Sequence, residues 1–119
     1  MEPKHSLIKS FRFAANGLKI AFTKGRNFQI QVILGVAAIV LAIILKITSL
    51  EWLALILIIA SVLILELINT AIEEIVNMVS PEIQPRAKIA KDVSAGAVLI
   101  ASVAAVCMGA FLFLPKILL

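Results

Sequence analysis

Tyrosine is missing altogether, and cysteine, histidine and tryptophan occur once each in 119 residues. A single Cys (Cys107) and a single His (His5) exclude a disulfide framework and a zinc site of the usual Cys/His spacing. The two lie too far apart in sequence and environment to pair as nucleophile and base, and Cys107 reads as a small packed hydrophobe inside an apolar run. Charge is scarce as well: Asp, Glu, Lys and Arg make up 15% of the chain, against about a quarter in a soluble domain. Leu, Ile, Val and Ala fill the gap in long blocks, and 62% of the residues are apolar. In water so short a chain would have too little polar material to cover its surface. The composition is that of a membrane protein with room for one domain, 1–119. The net charge of +4 points to membrane topology and away from nucleic acid, because the basic residues flank apolar segments.

The first 26 residues carry six of the eleven basic residues and one acid, Glu2. A secretory signal would place its apolar core here, yet the first long apolar run begins only near Phe28. Leu7, Phe11, Ala14, Leu18 and Phe22 recur at helical spacing, while Lys9, Arg12, Asn16 and Lys19 line another face. The spacing predicts an amphipathic helix over about 6–24, lying in the membrane surface, with packing on protein as the alternative. Three apolar stretches follow, predicted as spans over about 28–46, 52–79 and 87–115. A span needs about 20 apolar residues, so the second qualifies only if Glu66 is accepted inside the membrane. The continuing apolar face of Leu67, Ile68, Ala71, Ile72, Ile75 and Val76 argues that it is. With the N-terminus cytoplasmic, Lys4, Lys9, Arg12, Lys19, Lys24, Arg26, Arg86, Lys88 and Lys91 fall inside and only Lys46 and Lys116 outside, a strong positive-inside bias. Pro81 and Pro85 break the chain between the second and third spans. In the third, Ala97, Ala101, Ala105 and Gly109 recur every four residues, a spacing that lets helices approach closely in lipid. The fold expected is an all-α integral membrane bundle of three transmembrane helices plus the surface helix, self-associating into a homo-oligomer.

Chemistry is concentrated on the second span. Glu66, Asn69, Thr70, Glu73 and Asn77 fall on one narrow helical face, with Glu74 to its side. A carboxylate at membrane depth costs on the order of 3 kcal/mol. Glu66 follows Trp52 by 14 residues, which sets it about 21 Å from the outer boundary and roughly 10 Å inside the cytoplasmic edge; Glu73 then reaches the interface. A polar seam joining helices is one reading of this stripe. The other is a site where an apolar molecule meets a water-soluble one, since Lys88, Lys91 and Asp92 enter the third span at the depth where Glu73 leaves the second. Such a set suits binding a metal–phosphate complex and deprotonating a hydroxyl. The phosphate-binding and kinase motifs of soluble folds, G-x-x-x-x-G-K-[ST], G-x-G-x-x-G and H-R-D, are absent.

Glu66-Leu-Ile-Asn69-Thr70-Ala71-Ile72-Glu73, followed by Ala90-Lys91-Asp92-Val93-Ser94-Ala95-Gly96-Ala97-Val98, resembles the bacterial diacylglycerol kinase family. Arg26-Asn27-Phe28-Gln29 and Phe113-Leu114-Pro115-Lys116 are most similar to its undecaprenol kinase branch, and the likeness runs from about Lys9 to Lys116. The resemblance implies a homotrimer in the bacterial cytoplasmic membrane with composite sites, a lipid alcohol (undecaprenol or diacylglycerol) entering from the bilayer, and ATP with Mg²⁺ binding from the cytoplasm. It implies Glu66 as general base, held by Asn69, and Glu73 as metal ligand. It further implies Lys91 and Asp92, with Glu82 as a weaker candidate, as nucleotide contacts. Family members usually carry a second metal-ligating Glu where this chain has Gly25, and an Asp where it has Asn77. Loss of a carboxylate weakens a Mg²⁺ site, so the alternative is a catalytically impaired member with a structural or lipid-binding role. A proton-conducting oligomer built on Glu66 would explain the buried acid but not the basic surface helix or Lys91–Asp92.

Overall fold

In the computed structural model, residues 6–82 and 84–119 are described. They form four helices: α1 (Leu7–Lys24), α2 (Arg26–Leu45), α3 (Ser49–Val79) and α4 (Pro85–Leu118), with no strand among the described residues. The last three are long and apolar enough to cross a membrane. The chain is therefore an all-α membrane protein with three spanning helices preceded by a separate amphipathic one.

Each boundary has a local cause. The Ser6 hydroxyl accepts the Lys9 N–H at 3.2 Å and starts α1, as a serine N-cap does. Gly25 ends α1, donating its N–H to the Ala21 carbonyl at 2.8 Å, and is at once the N-cap of α2. That is why α2 begins at Arg26, ahead of the apolar run from Phe28. Lys46, in the left-handed region at φ 52°, turns the chain out of α2. Thr48 and Glu51 then close a capping box, so α3 starts at Ser49, before the position that hydropathy alone marks. Pro85 occupies the first turn of α4, where its missing N–H costs nothing. Pro115 lies inside α4, which continues to Leu118.

α3 is packed along α4, α2 rests against α3, and α1 leans on both α2 and α3. α3 has 31 residues, about 46 Å of helix, and so outruns a hydrocarbon core of about 30 Å. At the end of the bundle far from α1, Ala42, Ile47, Leu55, Leu112 and Phe113 form a small core. Lys116 of α4 donates to Glu51 of α3 at 2.6 Å beside it. Elsewhere large apolar side chains such as Ile33, Ile43, Leu57, Ile100 and Phe111 face outward, as they must where lipid is the solvent. On α1 only Ala21 is buried, while Leu7, Ile8, Phe11, Leu18 and Phe22 stay exposed. Its apolar face is thus not used up on the protein, which favours the membrane-surface reading over packing on protein.

The small-residue ladder of α4 has a use within the chain. Ala101 is buried, and Ala105 and Gly109 line an apolar cavity of about 260 Å³ with Gly35, Ala38, Leu55 and Ile59. At the cavity's edge the Gln31 amide donates to the Ser102 hydroxyl at 3.1 Å, joining α2 to α4. Only Ala97 of the ladder faces outward with no such role. The ladder by itself therefore does not carry self-association.

Candidate active site

The start of α2, the glycine before it and one face of α3 build a polar cleft. Its volume is about 240 Å³, and it is lined by Gly25, Arg26, Asn27 and Phe28 from the α1–α2 junction and by Glu66, Asn69, Thr70 and Glu73 from α3. The α3 residues share a face because positions three and four apart on a helix lie one above the other. The junction residues reach that face because α1 ends at Gly25 and α2 starts at once from the same residue, packed beside α3.

Glu66 is only 4% exposed, the single buried ionisable residue among those described. Among the described residues nothing donates a hydrogen bond to its carboxylate, although its backbone carbonyl accepts the Thr70 hydroxyl at 3.0 Å. Asn69 is fixed at both ends of its amide. Its oxygen accepts the Ser94 hydroxyl of α4 at 2.7 Å, and its nitrogen donates to Glu73 at 3.3 Å. The expectation that Asn69 holds Glu66 is corrected by this geometry: Ser94 orients Asn69, and Asn69 orients Glu73. One turn beyond Glu73, Asn77 accepts Lys91 Nζ at 2.6 Å. α3 and α4 are thereby stitched along one seam, Asn69 to Ser94 and Asn77 to Lys91.

The residues marked by sequence divide into two groups. Glu66, Asn69 and Glu73 line the cleft together. Lys91 stands beside the seam next to it, through Asn77. Asp92 is not brought to the cleft: it is exposed and paired with Lys88 at 2.5 Å along α4. Glu82 is exposed in the loop after α3, its carbonyl accepting the Ser80 hydroxyl at 2.8 Å, and it does not line the cleft either. Arg26, Asn27 and Thr70 do line it, and Ser94 supports it from behind. In sequence Arg26 and Asn27 read as the basic flank of a span and as part of the Arg26-Asn27-Phe28-Gln29 likeness, and neither reading gives them a role in the site.

A second cleft adjoins the first. Ala14, Gly17, Leu18 and Ala21 of α1 face Leu67, Thr70 and Ala71 of α3 across an apolar space of about 450 Å³. Thr70 belongs to both. The polar cleft and the apolar one therefore meet at one residue, a turn above the buried carboxylate.

No group of three or more His, Cys, Asp or Glu side chains able to hold a metal occurs among the described residues. Glu73 and Glu66 are the acids of the polar cleft, with the amide of Asn69 between them. That donor set does not make a closed protein cage. It fits a magnesium ion arriving on phosphate oxygens, which takes one or two carboxylates from the protein.

The sequence pattern of the prokaryotic diacylglycerol kinase family matches residues 12–113. The diacylglycerol kinase of Synechocystis sp. (strain ATCC 27184 / PCC 6803 / Kazusa) is 45% identical over 114 residues, covering 95% of this chain and 65% of that protein. The undecaprenol kinase of Bacillus subtilis (strain 168) is 36% identical over 109 residues, covering 92% and 89% respectively. The diacylglycerol kinase of Helicobacter pylori (strain J99 / ATCC 700824) is 40% identical over 94 residues, covering 79% and 73%. The chain thus spans just under two thirds of the cyanobacterial relative and most of the Bacillus one.

Proposed function

The chain belongs to the prokaryotic diacylglycerol kinase family, and from that premise we propose that it transfers the terminal phosphoryl group of ATP to a lipid alcohol held in the bilayer. The observation that carries the proposal is the meeting of the two clefts at Thr70, with the buried and unpartnered Glu66 beneath them. An enzyme acting on a lipid hydroxyl with a water-soluble donor needs an apolar approach, a polar approach and a base where they join. The apolar space between α1 and α3 supplies the first, and the relatives named for diacylglycerol and undecaprenol support both of these as the acceptor class.

In this reading Glu66 accepts the hydroxyl proton as the lipid oxygen attacks the terminal phosphorus. A new O–P bond forms, the bond to the bridging oxygen breaks, and ADP leaves with its electron pair. Asn69, held by Ser94, keeps Glu73 turned to the phosphates, where Glu73 is the ligand for Mg²⁺. An ion held there would supply charge neutralisation to the phosphate oxygens. Lys91 and Asp92 are assigned to the water-facing part of the nucleotide, with Glu82 as a weaker contact. The orientation proposed puts the N-terminus in the cytoplasm of a bacterial inner membrane. Eight basic residues among those described, Lys9, Arg12, Lys19, Lys24, Arg26, Arg86, Lys88 and Lys91, cluster at the end of the bundle that carries the cleft, as the positive-inside rule favours. Assembly as a homotrimer belongs to the same proposal.

The test is transfer of label from ATP, with purified protein in mixed micelles and Mg²⁺, offering undecaprenol and diacylglycerol in parallel. Labelled lipid is the expected result and ranks the two acceptors; absence of label on both, from folded protein, would sink the reading. A second expectation concerns the lipid's approach. Nothing lies within 4 Å of a Cβ built at Gly17, so Gly17→Leu has open space at its root, extends into the apolar cleft and improves the helix propensity of α1. It is expected to raise KM for the lipid about tenfold, the discrimination a few methylene groups provide in an apolar pocket, with KM for ATP unchanged. Equal changes in both would show that the space between α1 and α3 is not the lipid's route.

A further inference from the structure

We propose that Asn77 is a positioning residue: its amide holds the Lys91 ammonium one turn beyond Glu73 and, being neutral, leaves that charge free for the nucleotide. That the anion is ATP rests on the phosphotransfer reading. Lys91 Nζ donates to Asn77 Oδ1 at 2.6 Å, from α4 across to the last turn of α3. Asn77 continues the face that carries Asn69 and Glu73 into the cleft, about 6 Å further along the axis than Glu73. The ammonium is thus fixed on the water side of the acid assigned to the metal, where a phosphate chain running out of the cleft passes it.

No carboxylate compensates this cation. Asp92, its neighbour in sequence, is paired with Lys88 at 2.5 Å. Glu73 accepts the Asn69 amide at 3.3 Å, and Glu74 lies to the side of the stripe. The ion pairs among the described residues are Lys88–Asp92 and Lys116–Glu51, and Lys91 belongs to neither. It is half-buried, so its field is screened less than that of a lysine in open solvent. The end of α3 gives a second, independent reason for an amide here. Asn77 lies two residues before the end of the helix, whose last turn holds no basic residue. The negative end of a helix dipole disfavours a carboxylate and favours a cation, and the amide seats one there without adding charge of its own. Where the family pattern carries an Asp, this chain therefore keeps an uncompensated ammonium beside a cleft whose acids are Glu66 and Glu73.

Asn77→Asp separates tethering from charge, because it holds Lys91 more tightly while neutralising it. Binding of ATP to the full chain in micelles would be measured by calorimetry, in EDTA and in Mg²⁺, at low and high salt. The expected result in EDTA is about a tenfold loss of affinity at low salt that shrinks as salt rises. Melting temperature should hold, since the new ion pair offsets the carboxylate's unfavourable place at the helix end. In the lipid assay KM for ATP should rise with turnover at saturating ATP kept, the pattern of lost uniform binding. Asn77→Gln keeps a neutral acceptor within reach of the flexible lysine and should restore the parent's affinity and salt dependence. Parent-like or tighter ATP binding in Asn77→Asp, or a lower Mg²⁺ requirement, would overturn the proposal. Equal, salt-independent losses in Asn77→Asp and Asn77→Gln would overturn it too, because packing alone would then explain them. If Asn77→Asp bound ATP as the parent does while the parent labelled lipid, the role of Asn77 would fall and the kinase reading would stand. If the parent labelled no lipid but ATP binding fell in Asn77→Asp alone, the reverse would hold.

Discussion

Replacing Glu66 with Gln is expected to lower the turnover of lipid phosphorylation by about 10²–10⁴-fold, the contribution of a well-placed general base. The change preserves volume and polarity, and the carboxylate it removes has no hydrogen-bond partner among the described residues to be orphaned. It also withdraws an ionisable group from membrane depth, where ionisable groups are costly by about 3 kcal/mol. The melting temperature in micelles should therefore hold or rise while kcat falls and the lipid KM changes little. That combination separates a chemical role from a structural one. If Glu66 belonged to a polar seam joining helices, the same substitution would alter stability and leave turnover in place. Full activity in Glu66→Gln would remove the proposed base.

The spanning helices were legible in sequence because lipid as solvent demands long uninterrupted apolar runs, and few other folds produce them. Their ends were less so. Hydropathy marks where side chains become apolar, whereas a helix starts where its first N–H groups are satisfied. Gly25, the Thr48–Glu51 box and Pro85 therefore move each start toward the N-terminus of the apolar run. Within the site, Glu66, Asn69 and Glu73 were visible because their spacing follows the helical period and their neighbours are apolar. The direction of the Asn69 amide was not, because it is set by Ser94, 25 positions later on another helix. Arg26 and Asn27 were hidden for a related reason. Their place opposite Glu66 comes from the packing of the α1–α2 junction on α3, which no local periodicity records, and basic residues before a span have an ordinary explanation in topology. Asp92 shows the converse: its neighbour in sequence, Lys91, joins the seam, while Asp92 itself turns to Lys88 one turn earlier on the outer face of α4.

Gly25→Glu is expected to lose about a hundredfold in activity, even though the family pattern favours a carboxylate at this position. The obstacle is space and not backbone conformation, since φ −102° and ψ 107° suit any residue. A Cβ at position 25 would stand 2.9 Å from the Ala21 carbonyl oxygen and 3.4 Å from the Phe28 Cβ. The first contact is with backbone, so relief requires the last turn of α1 to move. Two bonds hold that turn: the Gly25 N–H to the Ala21 carbonyl at 2.8 Å, and the Gln29 amide to the Phe22 carbonyl at 2.6 Å. Overpacking of this kind costs about 1–3 kcal/mol, and α1 buries too little against the bundle, Ala21 alone, to resist displacement. Its movement carries away one wall of the apolar cleft, and a misplacement of about 1 Å is enough for a loss near 10²-fold. Gly25→Ala imposes the same contact without the charge, so both variants should fall together, with faster hydrogen exchange along α1. The opposite pattern is equally informative. A gain in Gly25→Glu, with a lower Mg²⁺ requirement and a loss in Gly25→Ala, would mean that the missing carboxylate limits the native site, and the impaired-member reading would then displace the one argued from the packing at Gly25.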